Sequence, residues 1–278
     1  MALSSESTIV IQSTKGLAQL GFGELWAYRE VVFFLAWRTI KVRYKQTIFG
    51  AAWAIIQPII TMLIFTVIFG RIANVPTDGI PYPLFVFAAL LPWQFFSASI
   101  SSGSDSLVGG GYILKQVYFP RLAMPLASIA SCVVDFALAF LVMVALMVYF
   151  GYAPSASILF LPLLVLLVIV TALGVSLFLS AMNVQFRDVK HALPFMIQVW
   201  MYCTPVVYPL RLIEDPLLAA LYSLNPMVGV VEGFRWAILG VGEVPTQPLL
   251  LSALVSLLLL VIGTFYFKRM ERTFADVV

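Results

Sequence analysis

Charge is what this sequence has least of. Asp, Glu, Lys and Arg make up 10% of its 278 residues, against about 25% in soluble domains, and the shortfall excludes a soluble globular fold. The one histidine, His191, stands beside Lys190 at the end of an apolar run and reads as a membrane-edge residue, not a base or a ligand. The two cysteines, Cys132 and Cys203, sit far apart in apolar runs without metal-type spacing, so they read as packing residues. With no paired carboxylates, nucleophile elbow or Cys/His cluster, catalysis has no candidate groups. The GxxxxGK[ST] loop is missing too, so the chain does not bind ATP phosphates in that fashion, and any ATP-driven activity needs a separate ATPase. The opening MALSSESTIVIQSTKG lacks a basic stretch leading into an apolar core, so no cleavable signal peptide is expected.

What is abundant is hydrocarbon: 62% of residues are hydrophobic and the mean hydropathy is +1.02. A crossing needs about 20 mostly apolar residues. Six runs qualify, at about 50–70, 82–102, 122–150, 156–182, 191–210 and 248–267. The expectation is an all-α integral membrane protein, with a cytoplasmic segment over 1–48, a six-span domain over 49–268 and a cytoplasmic tail over 269–278. Lys and Arg set its orientation. With the N-terminus inside, inner segments hold Lys15, Arg29, Arg38, Lys41, Arg43, Lys45, Lys115, Arg121, Arg187, Lys190, Lys268, Arg269 and Arg272, and the outer side only Arg71, Arg211 and Arg235. Both termini are therefore expected in the cytoplasm.

Before the first span, Phe33, Trp37, Ile40, Tyr44 and Ile48 recur at helical spacing, with Arg38, Lys41 and Lys45 on one flank and Arg43 on the other. This predicts an amphipathic helix over about 24–47 lying on the cytoplasmic membrane surface. Between spans five and six, two apolar segments too short to cross are split by Asn225-Pro226. They read as re-entrant or external short helices roofing the outer side.

Asp135 is the carboxylate deep inside a span, and such a residue serves either a proton relay or a structural pair with a hydroxyl or neighbouring helix. Other polar and aromatic groups form stripes. Trp53, Gln57 and Thr61 share a face of the first span. Gln198, Tyr202, Pro205 and Pro209 run along the fifth, with Tyr208 at its outer end, and the second offers Trp93, Gln94, Phe96, Ser97 and Ser101. Interfacial belts and helix packing account for such residues in many membrane proteins; a wet conduit for sugars, whose ring faces are apolar and edges hydroxylated, is the other reading. The two prolines are expected to bend the fifth span and free carbonyls. The inner loop from Ser104 to Pro125 has a capping candidate in Ser104 or Asp105, a turn at Gly109 to Gly111, and an aromatic and basic surface in Tyr118, Phe119 and Arg121. It reads as a solvated connector or a docking element.

The segments IFGAAWAIIQPII, YILKQVYFPRLAMPLASI, NVQFRDVKHALPFMIQVWMYCTPVVYP and LYSLNPMVGVVEGFRWAILG resemble, in the same order, those of type-2 ABC exporter permeases of the branch that exports O-antigen, capsule and teichoic acid. The resemblance covers most of the chain after about residue 24. It implies a transport subunit of the bacterial inner membrane, not an enzyme, with two permeases paired with two ATP-binding subunits that carry the ATP and Mg. Its implied cargo is a lipid-linked polysaccharide, and no nucleic-acid partner is expected. Trp53, Gln57, Thr61, Trp93, Phe96, Gln198, Tyr202, Pro205 and Tyr208 would then line the channel. The ATPase would dock on a helix from about Asp105 to Tyr118, with Lys115, Gln116 and Arg121, and on the turn carrying Arg187 and Asp188. Glu232 and Arg235, three apart on one helix face, would sit at the external gate and could pair there, a contact of small worth if exposed. Family members often carry an asparagine and small residues where this chain has Gly109, Gly110 and Gly111. A permease for drugs or lipids, or a secondary transporter coupled to protons through Asp135, are the alternatives.

Overall fold

A computed structural model describes residues 22–45, 50–77, 79–213, 215–240, 243–271 and 274. Lys15, Ile48 and Arg272, named above, lie outside them. Among the described residues every regular element is a helix. Two helices precede the spans, α1 (Phe22–Ala27) and α2 (Arg29–Lys45). The first span, α3 (Trp53–Phe65), widens into a π-helical stretch over Thr66–Ile72. Then follow α4 (Tyr82–Gly109), the short α5 (Gly111–Gln116), α6 (Ala123–Tyr149), α7 (Leu161–Gln185), α8 (Val189–Tyr202), α9 (Pro216–Ser223), α10 (Pro226–Leu239) and α11 (Thr246–Met270).

Among the described residues, five helices are long and apolar enough to cross a bilayer: Trp53–Ile72, Tyr82–Gly109, Ala123–Tyr149, Ala156–Gln185 and Thr246–Met270. Burial separates their roles. The most apolar stretch of α4 is 78% buried, whereas that of the first span is 11% buried. So α4 is the hub of the bundle, and α3 leaves most of its surface to lipid or to another chain.

The expected fifth span is not one helix. α8 has 14 residues, about 21 Å at 1.5 Å per residue, short of the ~30 Å hydrocarbon core. It stops at Tyr202 because Pro205 has no N–H to give the Met201 carbonyl and its ring collides there. The prolines therefore end this helix and do not bend it. Backbone from Cys203 to Pro209 is irregular, and at membrane depth each bare carbonyl needs a donor.

The following hairpin supplies them. α9 and α10 meet at a 90° bend, where Asn225 caps α10 and Pro226 occupies its first turn. Asn225 uses its whole amide: Oδ1 accepts from the Met227 N–H and from Trp200 Nε1, while Nδ2 donates to the Cys203 carbonyl and to Thr204 Oγ1, all at 2.8–3.0 Å. Tyr222 donates to the Tyr202 carbonyl at 3.3 Å. Tyr82 donates to the Val207 carbonyl at 2.8 Å. Arg235 forks to the carbonyls of Val206 (2.6 Å) and Tyr208 (3.2 Å), pairs with Glu232 at 3.0 Å, and lies 3.8 Å over the Phe85 ring.

The other side of the bundle is closed by small residues. A Cβ placed on Gly263 would fall 2.1 Å from the Gly174 carbonyl oxygen, so α7 and α11 touch backbone to backbone. Thr171 and Ser256 hydrogen-bond across the same seam at 2.7 Å. Ser252 accepts from the Gly229 N–H at 3.1 Å and carries the contact on to α10.

Two stability measurements follow. Gly263→Ala meets a backbone oxygen that cannot swing away, and thermal unfolding in detergent should show a loss of about 1–3 kcal/mol; Gly109→Ala, whose new methyl meets only Asp105 Oδ2 at 3.8 Å, should not lower the midpoint. Arg235→Gln should lose about 3–5 kcal/mol in the same assay, and Arg235→Lys should recover only part, because an ammonium cannot fork between two carbonyls.

Candidate functional site

An open cleft of ≈ 640 Å³ lies among α3, α4, α6 and α8 and the end of α2. Polar groups from four elements meet in it: Arg43 and Tyr44, then Trp53 and Gln57, then Gln94, Ser97 and Ser101, then Asp135. Pro194 and Ile197 of α8 and the aromatic Phe95 and Phe136 close its sides.

Asp135 anchors this cleft. Arg43 forms an ion pair with its Oδ2, and the Tyr44 hydroxyl donates to its Oδ1. Arg43 Nη2 also reaches Ser102 Oγ at 3.3 Å. Burial, and after it the hydrogen bond to Asp135, raise the Tyr44 phenol above its ordinary range and keep it a donor. Both carboxylate oxygens thus hold a donor from the neighbouring helix α2. Arg43 departs from its expected place on the surface flank of α2. It stands 280° around the helix from Phe33 at 100° per residue, on the side that carries the buried Leu35 and Ala36, and so enters the bundle about three turns along α6 from Ala123.

The expected channel residues fall into two groups. Trp53 (54% exposed), Gln57, Gln198 and Tyr202 (61% exposed) all present surface. Thr61 is half-buried and turns its hydroxyl back to the Gln57 carbonyl at 2.9 Å. Trp93 and Phe96 are corrected: both are buried in the core, Phe96 edge-on to Trp200 at 5.0 Å, because α4 is surrounded and only its Gln94–Ser97–Ser101 side opens to the cleft. Pro205 is buried, and Tyr208 is half-buried against the Tyr222 hydroxyl at 2.8 Å. Glu232 and Arg235 border a second, outer cleft of ≈ 210 Å³ with Arg211 and Glu243. Arg235 is 5% exposed, so the pair is a buried brace and not a weak surface contact.

The inner surface differs in one respect from its expectation. α4 runs on to Gly109, placing Asp105 in its last turn, and the helix after it is the six-residue α5. The break falls where Gly110 is pressed on span three: a Cβ there would lie 1.8 Å from Met124 Cε. Ser104 caps nothing and bonds the Ser101 carbonyl. Tyr112, Gln116, Val117 and Tyr118 stand exposed around α5; Lys115 lies in α5, its side chain outside the described residues. Asp105 pairs with Lys190 at 3.2 Å, which ties the last turn of α4 to the start of α8, beside the turn that exposes Arg187 and Asp188. Arg121 does not join this surface. It donates to the Glu271 carbonyl and lies 5.7 Å from the Phe274 ring.

Comparison with known proteins agrees with this architecture. The ABC-2 type transporter family matches over residues 30–239, from α2 to the end of α10. The O-antigen export system permease protein RfbA of Myxococcus xanthus is 31% identical over 257 residues, 91% of this chain and 97% of that protein. A Klebsiella pneumoniae protein of the same name is 26% identical over 86% of this chain and 92% of its own length. The polysialic acid transport protein KpsM of Escherichia coli is 27% identical over 80% and 85%. A match that runs unbroken through the cleft, the inner turn and the re-entrant hairpin leaves one assignment: the chain is a multi-pass membrane protein of the ABC-2 type transporter family.

Proposed function

We propose that the chain is the permease subunit of an ATP-driven exporter that moves a lipid-linked polysaccharide such as O-antigen out across the bacterial inner membrane. Two copies pair, and a separate ATPase subunit binds the ATP and Mg. Both termini lie in the cytoplasm, on the side of the Lys and Arg excess. The relatives' names support the cargo. The observation that carries the reading is the cleft, whose apolar and aromatic walls carry Gln57, Gln94, Ser97, Ser101 and the Arg43–Asp135 pair.

Such a surface suits a sugar. The exposed Trp53 ring offers a flat face to the apolar side of a pyranose, and Gln57, Gln94 and Ser97 offer donors and acceptors to its edge. A wholly apolar cargo would leave Gln57, Gln94, Ser97 and Ser101 and the ion pair without partners. Proton coupling through Asp135 finds its carboxylate already engaged on both oxygens.

The stripes on α3 and α8 leave much of their surface exposed in one subunit, and a second copy facing them would enclose a passage. ATP-driven closure of the ATPases would push on α5 and the Arg187–Asp188 turn, and the Asp105–Lys190 contact would hand the motion to α4 and α8 together. The permease itself makes and breaks no bond.

Two experiments test this. The triple variant Trp53→Ala, Gln57→Ala, Tyr202→Ala should cut surface polysaccharide in cells at least roughly tenfold, the scale of about 1.4 kcal/mol lost at the passage, with membrane insertion and ATPase co-purification unchanged; full export by the triple variant would overturn the reading. Tyr112→Ala with Tyr118→Ala should uncouple ATP hydrolysis from export in the reconstituted complex, and intact coupling would remove the docking assignment.

A further inference from the structure

The outer side of α2 carries a feature that export does not use. Around this helix the residues sort into three faces. Leu35 and Ala36 are buried against Leu107, Leu122, Ala123 and Phe267, at the inner ends of α4, α6 and α11. Phe33 projects outward on a second face. On the third, Phe34, Trp37, Arg38, Lys41, Val42 and Lys45 line a groove of ≈ 360 Å³, at the spacing of one helical stripe. Among the described residues Arg38, Lys41 and Lys45 make no ion pair. Lys41 rests 5.4 Å from the Trp37 ring centre.

Three cations three and four residues apart repel one another along a helix, and here no carboxylate answers them. The helix cannot rotate to separate them from the bilayer, since Arg43 and Tyr44 fasten its end to Asp135. A fixed cationic row beside exposed aromatic and aliphatic side chains, level with the inner ends of the spans, matches an anionic phospholipid: phosphate to the cations, acyl chain along Phe34, Trp37 and Val42. We propose that this groove is a binding site for the phosphodiester headgroup of an anionic phospholipid of the inner leaflet. The occupant is a bilayer lipid and not the cargo's own lipid phosphate, because the groove lies on the side of α2 turned away from the cleft. The site stands whether or not the cargo is a polysaccharide.

The test reads Trp37. The full-length chain is placed in nanodiscs of phosphatidylcholine and phosphatidylglycerol in which one lipid or the other is brominated, and the Trp37 signal is taken as the difference from Trp37→Phe. Brominated phosphatidylglycerol should quench that signal roughly thirtyfold more per mole than brominated phosphatidylcholine, as about 1 kcal/mol per basic side chain implies for two engaged cations. The triple variant Arg38→Gln, Lys41→Gln, Lys45→Gln should lose the preference, and Lys41→Gln alone, the milder change, should weaken it. Equal quenching by the two lipids, or an undiminished preference in Lys41→Gln and the triple variant, would overturn the site. Recovery of the Trp37 signal by about one mole percent of a polyprenyl phosphate would assign the groove to the carrier lipid and overturn the occupant named here.

Discussion

Lipid offers no hydrogen bonds, and the unwound stretch after Tyr202 shows what that demands of a chain. The irregular residues from Cys203 to Pro209 leave carbonyls that a continuous helix would have satisfied internally. Asn225, Tyr222, Tyr82 and Arg235 come from three separate elements to meet them. The hairpin α9–α10 is thus less a roof than a set of donors delivered to one place. Its buried cation is tolerable because two carbonyls, a carboxylate and the face of Phe85 share the charge.

A second polar knot works at the inner end. Asp135 alone in a span would be a costly group; with Arg43 and Tyr44 it becomes the point that ties α2 to α6. One ion pair therefore does two things. It neutralises an intramembrane carboxylate, and it holds the cleft's mouth and the basic row of α2 at set positions relative to the spans.

Much of this was legible in the sequence, and what was not has a physical cause. Five of the six spans, the Asn225-Pro226 split and the exposed Tyr118 are local patterns, and they stand where expected. The partner of Asp135 was open because Arg43 lies 92 positions away, a pairing set by packing. By residue type Trp93 and Phe96 read as channel walls. Their spacing separates them from Gln94, Ser97 and Ser101, which occupy the neighbouring stripe, and that signal was available. For Arg235, a Glu three residues back suggested a surface pair; the broken helix it braces is distant in sequence. The end of α8 at Tyr202 was a question of degree, since proline both kinks and stops helices.

The backbone contact between Gly174 and Gly263 makes the subunit mechanically lopsided. Two rods that touch main chain to main chain cannot slide past each other without a side chain's worth of room, so α7 and α11 behave as one plank. Compliance is left to the opposite edge, where α3 is hardly buried and α8 is short and hangs from a mesh of hydrogen bonds. Any cycle of opening and closing is thereby confined to the edge that bears the cleft.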